Sequence, residues 1–258
     1  MLELTDAQIG GWISAFLLPL FRIGALLMVM PVFGGNLVPV RVRLYLALAI
    51  TLLLSPNLPP MPEVDALNLR MMLLIAEQIL IGAVLGFLLQ LFFQIFVVLG
   101  QFVSMQMGLG YASMMDPAMG VSVPLLGQFL LNMATLMFLA MNGHLVVFEV
   151  LAESFVTLPV GSGFLVEHYR EIAGKLTWVL GAAVLISLPA VTALLVINMA
   201  FGVMARAAPQ LNIFAIGFPL TLVMGMIIFW LSQADILAHF QALTVEALQL
   251  LRDFAHAR

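Results

Sequence analysis

The sequence predicts an all-α membrane protein built from long apolar helices. Three observations carry that reading. Of the 258 residues, 64% are hydrophobic and only 9% are charged, whereas an ordinary soluble domain carries roughly 25% charged residues. A chain this poor in charge cannot clothe a water-exposed globular surface. Its apolar residues fall in blocks bounded by prolines and polar turns, and no barrel-length segment alternates with period two.

The same composition excludes several functions. With 13 acidic against 9 basic residues, a net charge of -4 and the single lysine Lys175, there is no basic patch with which to displace counterions, so no nucleic acid is expected as a partner. The absence of cysteine removes disulfides, thiolate metal sites and cysteine nucleophiles together. His144, His168, His239 and His256 are scattered, without the spacing of a metal motif. No cofactor, metal or catalytic residue is expected, and the protein is not read as an enzyme.

Taken in order, the chain opens with Glu3 and Asp6 where a secretory signal would carry positive charge, so no cleaved signal is expected. Thr5 and Gln8 have capping-box spacing and predict a helix start. Residues 7–33 form the first apolar block, which ends at Pro31-Val-Phe-Gly-Gly35. Residues 44–54 form a second, closed by the loop Pro56-Asn-Leu-Pro-Pro60-Met-Pro62. That block is too short for a hydrocarbon core of about 30 Å, which takes roughly 20 residues. It is half a hairpin, a re-entrant segment or a helix packed inside protein.

Residues 67–110 contain no proline, and one helix of that length would run roughly 60 Å, about twice the hydrocarbon thickness. Either the stretch turns near Gly82, Gly86 or Gly100, or it is one long helix that leaves the lipid and is covered by partners. Gln90, Gln94, Gln101 and Ser104, together with Gly86 and Gly108, fall within about 80° of one another on a helix. This small-and-polar stripe should face protein or a wet channel, as a helix seam or as pore lining.

Residues 122–158 form the next apolar block, followed by the charged loop Glu167-His-Tyr-Arg-Glu171. Residues 174–206 and 212–236 read as a membrane αα-hairpin joined by Arg206-Ala-Ala-Pro-Gln-Leu-Asn212. Pro189 is expected to kink its first arm. Beyond Asp235 the tail mixes Leu237, Phe240, Leu248, Leu251 and Phe254 with Glu246, Arg252 and Asp253, the pattern of an amphipathic end helix.

Charges inside apolar blocks cost about 2.5–3.5 kcal/mol each on insertion scales, which singles out Arg22, Glu77, Glu149, Glu153 and Arg206. They serve an ion or proton relay, a substrate counter-charge, or internal ion pairs that hold helix register; Arg206 also suits the free carbonyls of a last helical turn. The 18 methionines are densest in Met105-Gln-Met-Gly-Leu-Gly-Tyr-Ala-Ser-Met-Met-Asp-Pro-Ala-Met-Gly120. Its glycines and Pro117 predict a loop, and non-helical backbone at membrane depth survives only within protein or beside a wet cavity. Unbranched, polarizable Met105, Met107, Met114, Met115 and Met119 suit a deformable seal and equally an irregular core. Asp116 and Pro117 have the chemistry of a helix start.

These segments are where the chain resembles the FliR/SctT family of type III export-gate proteins. The matching residues are Gly108-Leu-Gly-Tyr-Ala-Ser-Met-Met-Asp-Pro117, Asn142-Gly-His144, Thr157-Leu-Pro-Val-Gly161 and above all Arg206-Ala-Ala-Pro-Gln-Leu-Asn-Ile-Phe-Ala-Ile-Gly-Phe-Pro-Leu220. The resemblance implies long kinked helical hairpins packed in a helical hetero-oligomer, with residues 1–165 FliP-like and residues 166–258 a FliQ-like hairpin and tail. It implies one copy of the chain with several FliP and FliQ subunits, near membrane components such as FlhB, in the flagellar basal body of the bacterial inner membrane. It also implies a passage for unfolded substrates closed by a plug, which maps onto Met105, Met107, Gly108, Gly110, Tyr111, Met114, Met115, Asp116, Pro117 and Met119. Relatives often place an aromatic residue where this chain has Met114. Arg206, Pro209, Gln210 and Asn212 become the hairpin turn needed for assembly. The alternative is a stand-alone secondary transporter of a small solute using Glu77, Glu149 and Arg206; the inverted repeat that would support it is not evident.

Overall fold

The computed structural model describes residues 6–35, 38–62, 68–109, 125–163, 166–207 and 213–256. Among them every regular element is helical: α1 (Asp6–Val29), α2 (Pro31–Gly34), α3 (Val40–Leu54) with a 3-10 turn (Ser55–Asn57), α4 (Leu69–Gln106), α5 (Leu125–Ala140), α6 (Gly143–Thr157), α7 (Val166–Ala207), α8 (Ile213–Leu231) and α9 (Gln233–His256). An all-α membrane protein is therefore what the chain forms. Three helices are long and apolar enough to cross a membrane, and up to five if each bent pair of helices counts as one span. The capping expectation at Thr5 lies outside the described residues.

The proline-free stretch is one helix. α4 runs 38 residues without a break, about 57 Å of axis, so its glycines do not turn the chain. They admit neighbours instead. A Cβ at Gly86 would lie 2.8 Å from the Cβ of Val29, and one at Gly100 would lie 2.5 Å from both Cα and N of Gly127. Small residues that let helix backbones meet are the usual means of packing where the solvent is itself apolar.

The apolar block at 122–158 is divided where the sequence reading carried it through. Asn142 adopts a left-handed conformation (φ 58°) between α5 and α6, a state that Asn tolerates better than most residues. Gly143 follows because its Cβ would enter the ring of Phe138, 2.7 Å from Cδ2. The second block is not too short to span, as the sequence reading had it: it starts four residues earlier and runs on into the 3-10 turn, so that Val40–Asn57 is one of the three helices long and apolar enough to cross a membrane. In α3 only Ala47 and Thr51 are buried while Leu44, Leu52 and Leu53 stay exposed. α7 continues through Pro189 as one helix. The tail helix α9 buries Phe240, Leu243, Ala247, Leu251 and Phe254 and exposes Glu246, Arg252 and Asp253, so it is two-sided as expected, although Leu237 is exposed and Leu248 only half-buried.

The chain forms two compact units, each drawn from separated stretches. The first comprises residues 1–91, 138–174 and 245–258, and the second residues 92–137 and 175–244. In the first, Leu18, Met71 and Leu74 form an apolar core cluster on which Leu17, Ile75 and Val160 pack. In the second, Phe92, Phe96 and Phe240 form an aromatic cluster with ring centroids 5.4–5.6 Å apart, the separation at which edge and tilted ring pairs attract.

Candidate functional site

The methionine-rich segment begins at the end of α4, within the second unit, and its first turn is built in detail. Gly108 is left-handed (φ 80°). Its N–H donates to Met105 O at 3.1 Å and the Leu109 N–H donates to Ser104 O at 3.0 Å. This is a Schellman closure, in which a glycine past the helix end turns the chain back so that its amides meet the last carbonyls. Among the described residues the carbonyl of Gln106 meets no amide of its own helix. Asn198 of α7 donates Nδ2–H to it at 3.0 Å, with Gln106 Oε1 3.5 Å away. Met107, wholly buried, lies against Gly225 of α8, where a Cβ would be 2.9 Å from its Cε and 3.0 Å from its Sδ. Met105 is exposed. Gly110, Tyr111, Met114, Met115, Asp116, Pro117 and Met119 lie outside the described residues, as do Pro209, Gln210 and Asn212 of the hairpin turn.

A second polar constellation sits inside the first unit. Arg22 of α1 is fully buried. Its Nε donates to Gln78 Oε1 at 2.7 Å, Nη1 to Ser154 O at 2.7 Å and Ser154 Oγ at 3.1 Å, and Nη2 to Leu158 O at 2.9 Å. The guanidinium carbon stands 4.3 Å from the centroid of the Phe155 ring. Two of these acceptors are carbonyls at the C-terminal end of α6, where a cation meets the negative end of the helix dipole. Arg22 thus ties α1, α4 and the end of α6 together through neutral acceptors. Next to Gln78, Glu77 accepts the N–H of Gly161 at 3.1 Å and of Gly163 at 2.9 Å. Both glycines have positive φ, so the carboxylate clips a turn that only such residues form without strain.

The other singled-out residues are dispersed. Glu149 pairs with Arg252 at 3.4 Å on an exposed surface, and Glu153 is 4.0 Å from His256. Arg206 occupies the last turn of α7 with its side chain exposed. Of the polar stripe, Gln90, Gln94 and Gln101 are exposed, whereas Ser104 and Gly86 are buried; Ser104 Oγ has no hydrogen-bond partner. Sequence reasoning named Arg22 and Glu77 but not their partners, and it passed over Gln78, Ser154, Asn198 and Gly225 altogether. The signal for Asn198 was available: a lone amide in an apolar run is costly unless it meets a partner. Gly225 gives no signal of its own, because glycine is common in membrane helices. Among the described residues no group of three or more His, Asp or Glu is placed to hold a metal ion.

Comparison with known proteins gives a consistent result. Residues 13–247 match the family of bacterial export proteins, family 1. The chain is 38% identical to the flagellar biosynthetic protein FliR of Escherichia coli K12 over 88% of its own length and 87% of that protein. It is 36% identical to FliR of Pectobacterium carotovorum over 98% and 97% of the two chains. Against FliR of Bacillus subtilis the identity is 32% over 83% of each.

Proposed function

The chain belongs to family 1 of the bacterial export proteins, and from that membership we propose that it is a core subunit of the flagellar type III protein-export gate. It is a membrane-embedded component of flagellar export and not a member of an enzyme family. In our reading one copy assembles with several FliP and FliQ subunits in the bacterial inner membrane, at the flagellar basal body and beside components such as FlhB. Together they form the passage for unfolded flagellar proteins. The observation that carries this reading is the match to FliR proteins over nearly the whole of both chains.

Two features of the fold support it. α4 is about twice as long as a hydrocarbon core is thick, and although most of it is buried within this chain, large apolar side chains such as Met72, Leu73 and Phe87 stay exposed on it. Large apolar side chains such as Leu185, Val196 and Val203 stay exposed along α7, which suits a subunit whose flank is covered by neighbours and lipid. The mechanism is steric. The segment from Met105 to Gly120 blocks the passage until the export machinery displaces it, with Met107, fully buried within the chain, anchoring its stem rather than sealing, and the energy is supplied elsewhere. The turn carrying Arg206, Pro209, Gln210 and Asn212 serves assembly.

Native mass spectrometry of the tagged chain, gently extracted from its own cells, tests the assembly. One copy bound to several copies of two other small membrane proteins is expected, and a monomer or homodimer stable across mild detergents would refute it. The plug is tested by shortening residues 105–120 within the assembled complex. The membrane should then leak small ions, and unchanged permeability would remove that role.

A further inference from the structure

We infer that Asn198 and Gly225 are positioning residues that fix the point and direction at which the chain leaves α4. As far as it concerns the closed gate, this rests on the plug reading above. A helix end leaves its last carbonyls free of intrahelical amides. Ser104 O and Met105 O are met by the returning amides of Leu109 and Gly108, and among the described residues Gln106 O is met by Asn198. An Asn in the apolar stretch from Ala193 to Ala205 of α7 therefore completes the cap of another helix. On the adjoining turn, Met107 is seated where Gly225 offers no side chain, and that seat is fully closed to solvent. The two anchors are of different kinds. One is a directional hydrogen bond, and the other is a shape match that a single methyl group would spoil.

A cap held only by its own backbone frays, and the residues after it can start from many directions. Held at Gln106 by α7 and at Met107 by α8, the stem leaves residue 109 from a defined place. Any displacement of α7 against α8 is then felt first at the root of the methionine-rich segment. This assigns two residues of the C-terminal hairpin a role at the segment's origin, although they are distant from it in sequence.

The test uses the assembled complex and two independent variants. Asn198→Asp keeps the side chain's shape but removes the N–H donor. Hydrogen exchange at the amides of Gly108 and Leu109 should rise roughly tenfold at unchanged complex yield, the effect of losing one net hydrogen bond from the cap. Gly225→Ala should raise exchange at the same amides by displacing Met107, and adding Met107→Ala should return it toward the parent value by freeing the seat. Unchanged exchange in both variants, or no relief from Met107→Ala, would overturn the inference. Ion leakage is measured beside a complex in which residues 111–119 are deleted. If the deletion leaks and neither variant does, the two residues do not position the closed segment and the inference fails in that respect while the plug stands. If the deletion itself does not leak, the plug reading fails, and the exchange results alone decide the inference about the stem.

Discussion

Replacing Arg22 by Met should be among the most damaging single changes in the first unit. The guanidinium is fully buried and makes four hydrogen bonds to Gln78, Ser154 and Leu158. Ser154 O retains the N–H of Leu158 at 3.0 Å, so the substitution strands two acceptors, Leu158 O and Gln78 Oε1. Each stranded acceptor costs about 1–3 kcal/mol, and the lost contact with the Phe155 ring adds about 0.5–2 kcal/mol. Against these stands relief from holding a charge out of water, which for a buried cation is of the order of a few kcal/mol. The net expectation is a loss of about 3 kcal/mol. For a chain of this size it lowers the unfolding midpoint by roughly 6–12 °C. The assay is a heat challenge of the fluorescently tagged chain in detergent, with monodisperse protein read after each temperature. Adding Gln78→Leu should recover about 1–2 kcal/mol, because it removes the stranded oxygen together with Gln78 Nε2, which already has no partner. A shift for Arg22→Met below about 2 °C, or a double variant less stable than the single one, would refute the view that these hydrogen bonds hold the three helices together.

Two further outcomes follow from close contacts. Glu77→Gln leaves one acceptor for the two amides of Gly161 and Gly163; a loss of about 1 kcal/mol is expected, read as faster protease cleavage within residues 159–163, and an unchanged rate would count against the clip. Gly100→Ala places a Cβ 2.5 Å from the backbone of Gly127 and should cost about 1–3 kcal/mol by forcing α4 and α5 apart. Gly202→Ala meets nothing within 4 Å and should be stabilising by roughly 0.5–1 kcal/mol through helix propensity; equal midpoint shifts for the two alanines in the heat challenge would contradict this.

Which parts of this molecule are legible from sequence follows from which forces are local. The helical class, the unbroken α4 as one of two open alternatives, and the two-sided tail all come from composition and periodicity, which act within one segment. Gly108 is legible only in part: the sequence places it both in a loop and on the helical polar stripe, and its φ of 80° beyond the end of α4 removes it from the stripe. The Asn142 break is a near miss, since the Asn-Gly turn signal is only two residues long and the apolar pattern continues on either side. The partners of Arg22 are another matter. A charge in an apolar run invites a search for an opposite charge, but here the answer is an amide, a hydroxyl and two helix-end carbonyls, and carbonyls at helix ends leave no mark in a sequence. Apolar composition also cannot distinguish Leu18, fully buried in its own chain, from Leu53, which is 74% exposed; both residues are equally hydrophobic, and only the fold decides which of them is left for a partner or a lipid. The division matters for the mechanism. Among the described residues the root of the methionine-rich segment is seated by this chain's own Asn198 and Gly225, whereas the outer faces of α3 and α7 are left for other molecules to cover. Contacts exchanged along α3 during assembly leave the stem alone, whereas those along α7 reach it through Asn198. A signal to release that stem must therefore come through α7 and α8, the two helices that hold it.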